Sequence, residues 1–276
     1  MSATVVDVTG ITGIAGIPGA GERGVAAALR HGGLVAGRNL RVGLRHPRTI
    51  FTATVMPLIF FFGFLAVLRR SLEARGLDYE QFLPPIVVIQ AMFFTGMASA
   101  MLLADDRVRG LQERCRSLPI SRWAPLVGRV AADLARAVAS VAVLLVAAVA
   151  VGFRFEAGVL AAAGFVGVAL LFAVAACAGF GTAALAARDP EAVLPTLALP
   201  YLLLLMLSSG FVPVEGFPGW LQPVVRWQPV SLCAEALRAL SSGGPTTAPV
   251  VRAVVVLAGL TAVFGVLGAR AYRRAA

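Results

Sequence analysis

Two sets of ionisable residues in this chain of 276 residues are spaced so that they can act together. The first runs from Asp105 to Pro125, DDRVRGLQERCRSLPISRWAP, where five positions are Arg. Within it Asp106, Arg107, Glu113 and Arg122 are candidates for contact with another protein. Gly110 allows close approach, and Pro119 ends a helix because it has no N–H to donate. The plain alternative is a solvated loop whose charges each contribute little. The second set is Arg129, Asp133 and Arg136, whose i, i+4 and i, i+3 spacings place them on one helix face. Opposite charges so placed pair at a membrane boundary, for structure as readily as for gating.

Both sets suit recognition rather than bond-making. All 24 basic residues are Arg, and the absence of Lys excludes a Walker A phosphate loop, a pyridoxal Schiff base and a lysine nucleophile. If ATP drives this protein, another chain binds it. The two histidines, His31 and His46, precede the first apolar run, which sets aside haem ligation and an intramembrane His relay. An intramembrane lipid-modifying enzyme would need His, Asp, Glu or metal ligands clustered at one depth, and the pattern supplies none. Cys115, Cys177 and Cys233 are expected on a loop, inside a span and on the outer side, where no two can pair.

The elements that carry these residues are dictated by composition. With 59% hydrophobic and 14% charged residues, the chain needs lipid as its main solvent. The net charge of +10 does not imply nucleic acid, because the Arg residues border apolar runs instead of forming one basic face with stacking aromatics. The Arg-only, Ala/Val/Gly-rich usage points to a GC-rich bacterial genome. Apolar runs at about 50–68, 85–104, 126–151, 158–187, 193–209 and 250–269 predict six membrane helices. Pro195 and Pro200 are expected to break the fifth, and Gly164, Gly167, Gly179 and Gly181 to let the fourth approach its neighbours closely. Residues 1–24 read as a disordered tail. In 25–48, Arg38, Arg41, Arg45 and Arg48 recur at helical spacing, which predicts an amphipathic interfacial helix against anionic lipid, with a basic linker as the alternative. The expected fold class is therefore an all-α integral membrane protein of six transmembrane helices with an N-terminal interfacial helix.

Residues 210–249 depart from this regularity. Pro213, Pro218, Pro223 and Pro229 divide the first half into pieces too short to cross a bilayer. Two short re-entrant helices between spans five and six fit, with Trp220 and Trp227 at the interface. Val230, Cys233, Leu237 and Leu240 form an apolar face, from which Glu235 and Arg238 are expected to turn away. With Glu215, these residues are candidates for the outer end of a pathway. An amphipathic surface hairpin is the simpler alternative. Assigned to this topology, seventeen Arg fall on cytoplasmic segments and seven outside, which places both termini in the cytoplasm and 105–125 on the same side.

The pattern Asp106, Arg107, Gly110 and Leu118-Pro119-Ile120-Ser121-Arg122 resembles the first cytoplasmic loop of ABC-2 type transporter permeases, especially the daunorubicin-resistance group. Gly219-Trp220-Leu221-Gln222 and Gln228-Pro229-Val230-Ser231 look like motifs of the same group, which often carries Asn at the position of Gln228. The resemblance begins near Leu34 and implies an ABC-2 transmembrane domain over 49–276. It implies a permease subunit of a bacterial cytoplasmic-membrane exporter for a hydrophobic or amphiphilic drug, antibiotic or complex lipid. It implies that Asp106, Arg107, Gly110, Glu113, Pro119 and Arg122 contact a separate ABC ATPase subunit that holds ATP and Mg, with no cofactor in this chain. A second permease, identical or paralogous, and membrane lipids complete the expected partners. A passive scaffold or channel without an ATPase is the reading from a different class.

Overall fold

The computed structural model describes residues 55–73, 78–108, 124–187 and 192–274. The expected tail and interfacial helix lie outside the described residues. Every regular element among those described is helical: α1 (Met56–Glu73), α2 (Tyr79–Val108), α3 (Ala124–Val151), α4 (Gly158–Ala186), α5 (Val193–Met206), a 3-10 turn (Val214–Gly216), α6 (Gln222–Trp227), α7 (Pro229–Ser242) and α8 (Thr247–Arg274). Four of these, α2, α3, α4 and α8, are long and apolar enough to cross a membrane. The apolar stretches of α1 and α5 are shorter, Met56–Val67 and Pro195–Met206. At about 1.5 Å per residue each covers roughly 18 Å of a hydrocarbon core near 30 Å thick.

The bundle is organised around α2, which is buried on every side from Leu83 to Ala100. A helix that is apolar all round has no face to give to water, so it becomes the centre against which amphipathic neighbours pack. Here α1, α3, α4, α5 and α7 all touch it. Two helices approach closely at Gly96, where a Cβ would stand 3.0 Å from the main chain of Ala176 on α4. Of the four glycines expected to serve close approach, Gly164 lies under Leu240 and Gly179 under the Phe264 ring, while Gly167 faces open space. An aromatic column fills the interior, with Phe93 meeting Phe172 at 4.9 Å and Tyr201 at 5.4 Å between ring centres. The outward faces of α3, α5 and α8 remain apolar, as Val146, Leu199 and Val255 illustrate. Water would penalise such a surface and lipid does not.

Several boundaries differ from the sequence expectation. Residues 79–84, expected in an outer loop, form the first turns of α2, and Asp105 to Val108, expected in the charged loop, form its last. Pro84 and Pro85 remove only the donors that would reach the carbonyls of Glu80 and Gln81, close to the helix start. Asp78 caps that start by accepting from the Gln81 N–H at 3.3 Å. Helix α5 runs through both of its prolines. Pro195 is its third residue, where the N–H has no intrahelical partner, and Pro200 costs a single bond. The 210–249 segment does contain two short helices, α6 and α7. Pro229 opens α7, and Gly243, with φ of 74°, closes it in the left-handed conformation.

Side-chain contacts give the bundle two distinct ends. At one, Arg69 pairs with Glu80 at 2.5 Å, the Gln81 amide donates to the Arg154 carbonyl at 2.9 Å, and the Glu156 N–H reaches the Ser241 carbonyl. The other end gathers Asp106, Arg107, Arg129 and the last turn of α4. Consecutive long helices therefore alternate in direction between these ends.

Candidate functional site

The second charged set becomes a network between helices where α2 and α3 flank residues 109–123. Asp133 on α3 is 6% exposed. Its carboxylate accepts from the Ser99 hydroxyl of α2 at 2.7 Å and from the Arg136 guanidinium. Arg129, one turn earlier, donates to the main-chain carbonyl of Ser99 and stands 3.7 Å from the Asp106 carboxylate. Asp133 and Arg136 pair along one helix face, and Arg129 also reaches across to the neighbouring helix. A carboxylate taken out of water is tolerable only when hydrogen bonds and opposite charges replace its hydration, and here two guanidinium groups and a hydroxyl do so.

The charged loop is joined to this network at its root. Arg107 donates to the carbonyls of Leu185 and Ala187 at 3.1 Å each, satisfying orphan acceptors at the C-terminus of α4. Asp106 and Arg107 thus each hold a neighbouring helix of the chain itself. Gly110, Glu113, Pro119 and Arg122 lie outside the described residues.

At the opposite end, Trp220 and Trp227 project outward, 78% and 69% exposed, and Glu215 and Glu235 are exposed beside them. Arg238 does not turn away with Glu235. Its guanidinium donates to the carbonyls of Ser209 at 2.9 Å and Gly210 at 2.5 Å, with its carbon 3.7 Å from the centre of the Phe82 ring. Burial lowers its pKa to about 10 against the opposing field of Glu235, so it stays charged at neutral pH. The turn after α5 leaves carbonyls without helical partners, and a planar fork beside an aromatic face satisfies two of them at once. The Gln228 amide adds bonds to the Leu207 carbonyl and, at 3.2 Å, to the Ser231 hydroxyl. The apolar face of α7 packs against α2, α4 and α8, burying Val230, Cys233, Leu237 and Leu240 as its spacing predicts.

Between these ends lies a pair that sequence reasoning did not single out. Gln90 of α2, 1% exposed, donates through its amide to the Tyr201 hydroxyl of α5 at 3.0 Å, and its amide oxygen has no partner. The available signal was a lone amide within an otherwise apolar span, where a polar group is costly without a partner. Tyr201→Phe is expected to destabilise the protein by about 1–3 kcal/mol by stranding the whole amide. Adding Gln90→Leu removes both polar groups and should return the thermal midpoint in detergent to the parent value or above it. Additive losses in the double variant would contradict this account. Among the described residues, no three carboxylate, thiol or imidazole groups come together as a metal site.

Comparison with known proteins agrees with this architecture. The family profile described as ABC-2 family transporter protein matches residues 69–270, from the end of α1 to the last turns of α8. The probable doxorubicin resistance ABC transporter permease protein DrrC of Mycobacterium tuberculosis is 30% identical over 228 residues, covering 82% of each chain. The daunorubicin resistance ABC transporter permease protein DrrB1 of Streptomyces coeruleorubidus is 31% identical over 255 residues, 92% of this chain and 90% of that one. The doxorubicin resistance ABC transporter permease protein DrrB of Mycobacterium tuberculosis is 32% identical over 225 residues, 78% of this chain and 77% of its own length. A helical membrane bundle with its charged segment between α2 and α3, matched by the family profile over most of its length, belongs to the ABC-2 family of transporter proteins.

Proposed function

We propose that this chain is one of two membrane subunits that form the pathway of an exporter powered by a separate ABC ATPase. The observation that carries this reading is the braced root of the charged segment: Asp106 and Arg107 tie the last turn of α2 to α3 and to α4. A segment rooted in this way can receive force from outside the membrane and pass it into the bundle. The ATPase binds residues 109–123 from the cytoplasm and carries ATP and Mg, and both termini of this chain lie on that side. Six crossings are proposed, with α1 and α5 joining the four long helices. The second permease is an identical chain or a paralogue.

The cargo is a hydrophobic or amphiphilic compound of the class that the names of the relatives mention, doxorubicin and daunorubicin, or a complex lipid. An interior filled by Phe and Tyr rings, with few buried charges, suits an aromatic amphiphile better than an ionic solute. Such a compound enters from the membrane and leaves past α6 and α7. The reading is tested by purifying the chain from its native membrane in mild detergent and by measuring doxorubicin retention and envelope lipids in a strain lacking it. A stoichiometric ATP-hydrolysing partner together with raised retention of the drug or of a lipid is expected. Reproducible absence of such a partner would replace the exporter with a passive scaffold.

A further inference from the structure

The buried charges between α2 and α3 do more than a stable helix pair requires. Ion pairs out of water roughly break even against well-packed apolar residues, so Leu at these positions would serve stability as well. What apolar contacts cannot supply is a fixed register along the helix axis. Arg129 grips α2 at two points seven residues apart, the Ser99 carbonyl and the Asp106 carboxylate, which spans about 10 Å of helix. Asp133 holds Ser99 from below through the hydroxyl and is itself held by Arg136. Cys177 of α4 also lies against Ser99, so α4 closes the third side. Without such bonds the last turns of a helix fray and absorb displacement locally.

We propose that Arg129 and Asp133 are positioning residues that lock the ends of α2 and α3 into one lever, so that movement of residues 109–123 reaches the far end of the bundle. The inference rests on the exporter reading and adds to it how the force is transmitted. The far end is placed to respond because α2 reaches it directly: Phe82, in the first turn of α2, carries the Arg238 guanidinium that holds the turn after α5.

The test uses the complex with its ATPase in lipid nanodiscs and reads two quantities. One is the rate of ATP hydrolysis. The other is the change in amide hydrogen exchange over residues 207–240 when ATP and vanadate are added. In Asp133→Asn hydrolysis is expected to stay within about twofold of the parent, while the exchange change at the far end falls at least fivefold. Ser99→Ala removes one uncharged partner, cannot strand a buried charge, and is expected to lower the same change about twofold to threefold. Arg136→Lys keeps the counter-charge and is expected to retain most of the response. If Asp133→Asn fails to assemble, Ser99→Ala carries the test, with Arg136→Lys as its conservative control. Parent-like far-end exchange in assembled Asp133→Asn or Ser99→Ala overturns the lever, as does a parent complex whose far end ignores nucleotide. A parent chain that binds no ATPase defeats the exporter reading instead.

Discussion

Reversing Asp106 and Arg122 together, as Asp106→Arg with Arg122→Glu, is expected to lower transport by about tenfold or more while leaving the amount of chain in the membrane unchanged. Asp106 lies 3.7 Å from Arg129, so the reversal replaces an attraction by a repulsion of the same size. At an effective dielectric constant of about 20, each term is close to 4 kcal/mol. The Asp106 side chain is 32% exposed, and water and salt reduce the effective change to about 1–2 kcal/mol, enough for roughly a tenfold shift in an equilibrium. Insertion is spared because it depends on the apolar spans and the balance of Arg across the membrane, and neither changes materially. Cellular retention of the compound that accumulates in a strain lacking the chain, with membrane level measured on the same samples, checks the prediction. Transport at the parent rate would remove the assignment of this segment to coupling.

The single variants separate two ways of reaching that loss. Asp106→Arg acts at the root, where its partner is a residue of this chain, and should reduce transport without releasing the ATPase. Arg122→Glu acts in the segment proposed to face the ATPase and should weaken co-purification. Equal co-purification in both would place all of the effect at the root.

Arg238→Ala is expected to produce the largest loss of stability among single substitutions at the far end. The change strands the carbonyls of Ser209 and Gly210, both in buried residues, and removes the charge that rests on Phe82. Each buried acceptor left unpaired costs about 1–3 kcal/mol, and the sum with the lost ring contact is roughly 3–5 kcal/mol. For a chain of this size the thermal midpoint in detergent should fall by about 10 °C. Arg238→Lys should recover less than half of this, because an ammonium group cannot serve two carbonyls in a fork and stack on a ring at once. A midpoint equal to the parent in Arg238→Ala would show that water satisfies those carbonyls, and the turn after α5 would then owe nothing to this side chain.

The membrane class, the long apolar helices and the two short helices near the end of the chain follow from residue types and spacing alone. Runs of twenty or more apolar residues have no stable place in water, and four closely spaced prolines cannot lie in one crossing helix. The start of α2 was also legible, since Asp78 followed three positions later by Gln81 is a helix-start signal, whereas the apolar run begins only near residue 85. The partners of the charges were not legible. Periodicity shows that Arg129, Asp133 and Arg136 share a face but not which helix meets it, so Ser99 and Asp106 emerge only when α2 packs on α3. Arg238 has the spacing of an outward residue, and its inward turn is set by the unpaired carbonyls of a bend almost thirty positions away. Gln90 finds Tyr201 across 111 positions of sequence. Local sequence determined which segments leave water, because hydrophobicity is a property of each residue. Tertiary structure alone decided which polar groups compensate one another, because a buried donor is satisfied by whatever acceptor the packing brings within about 3 Å.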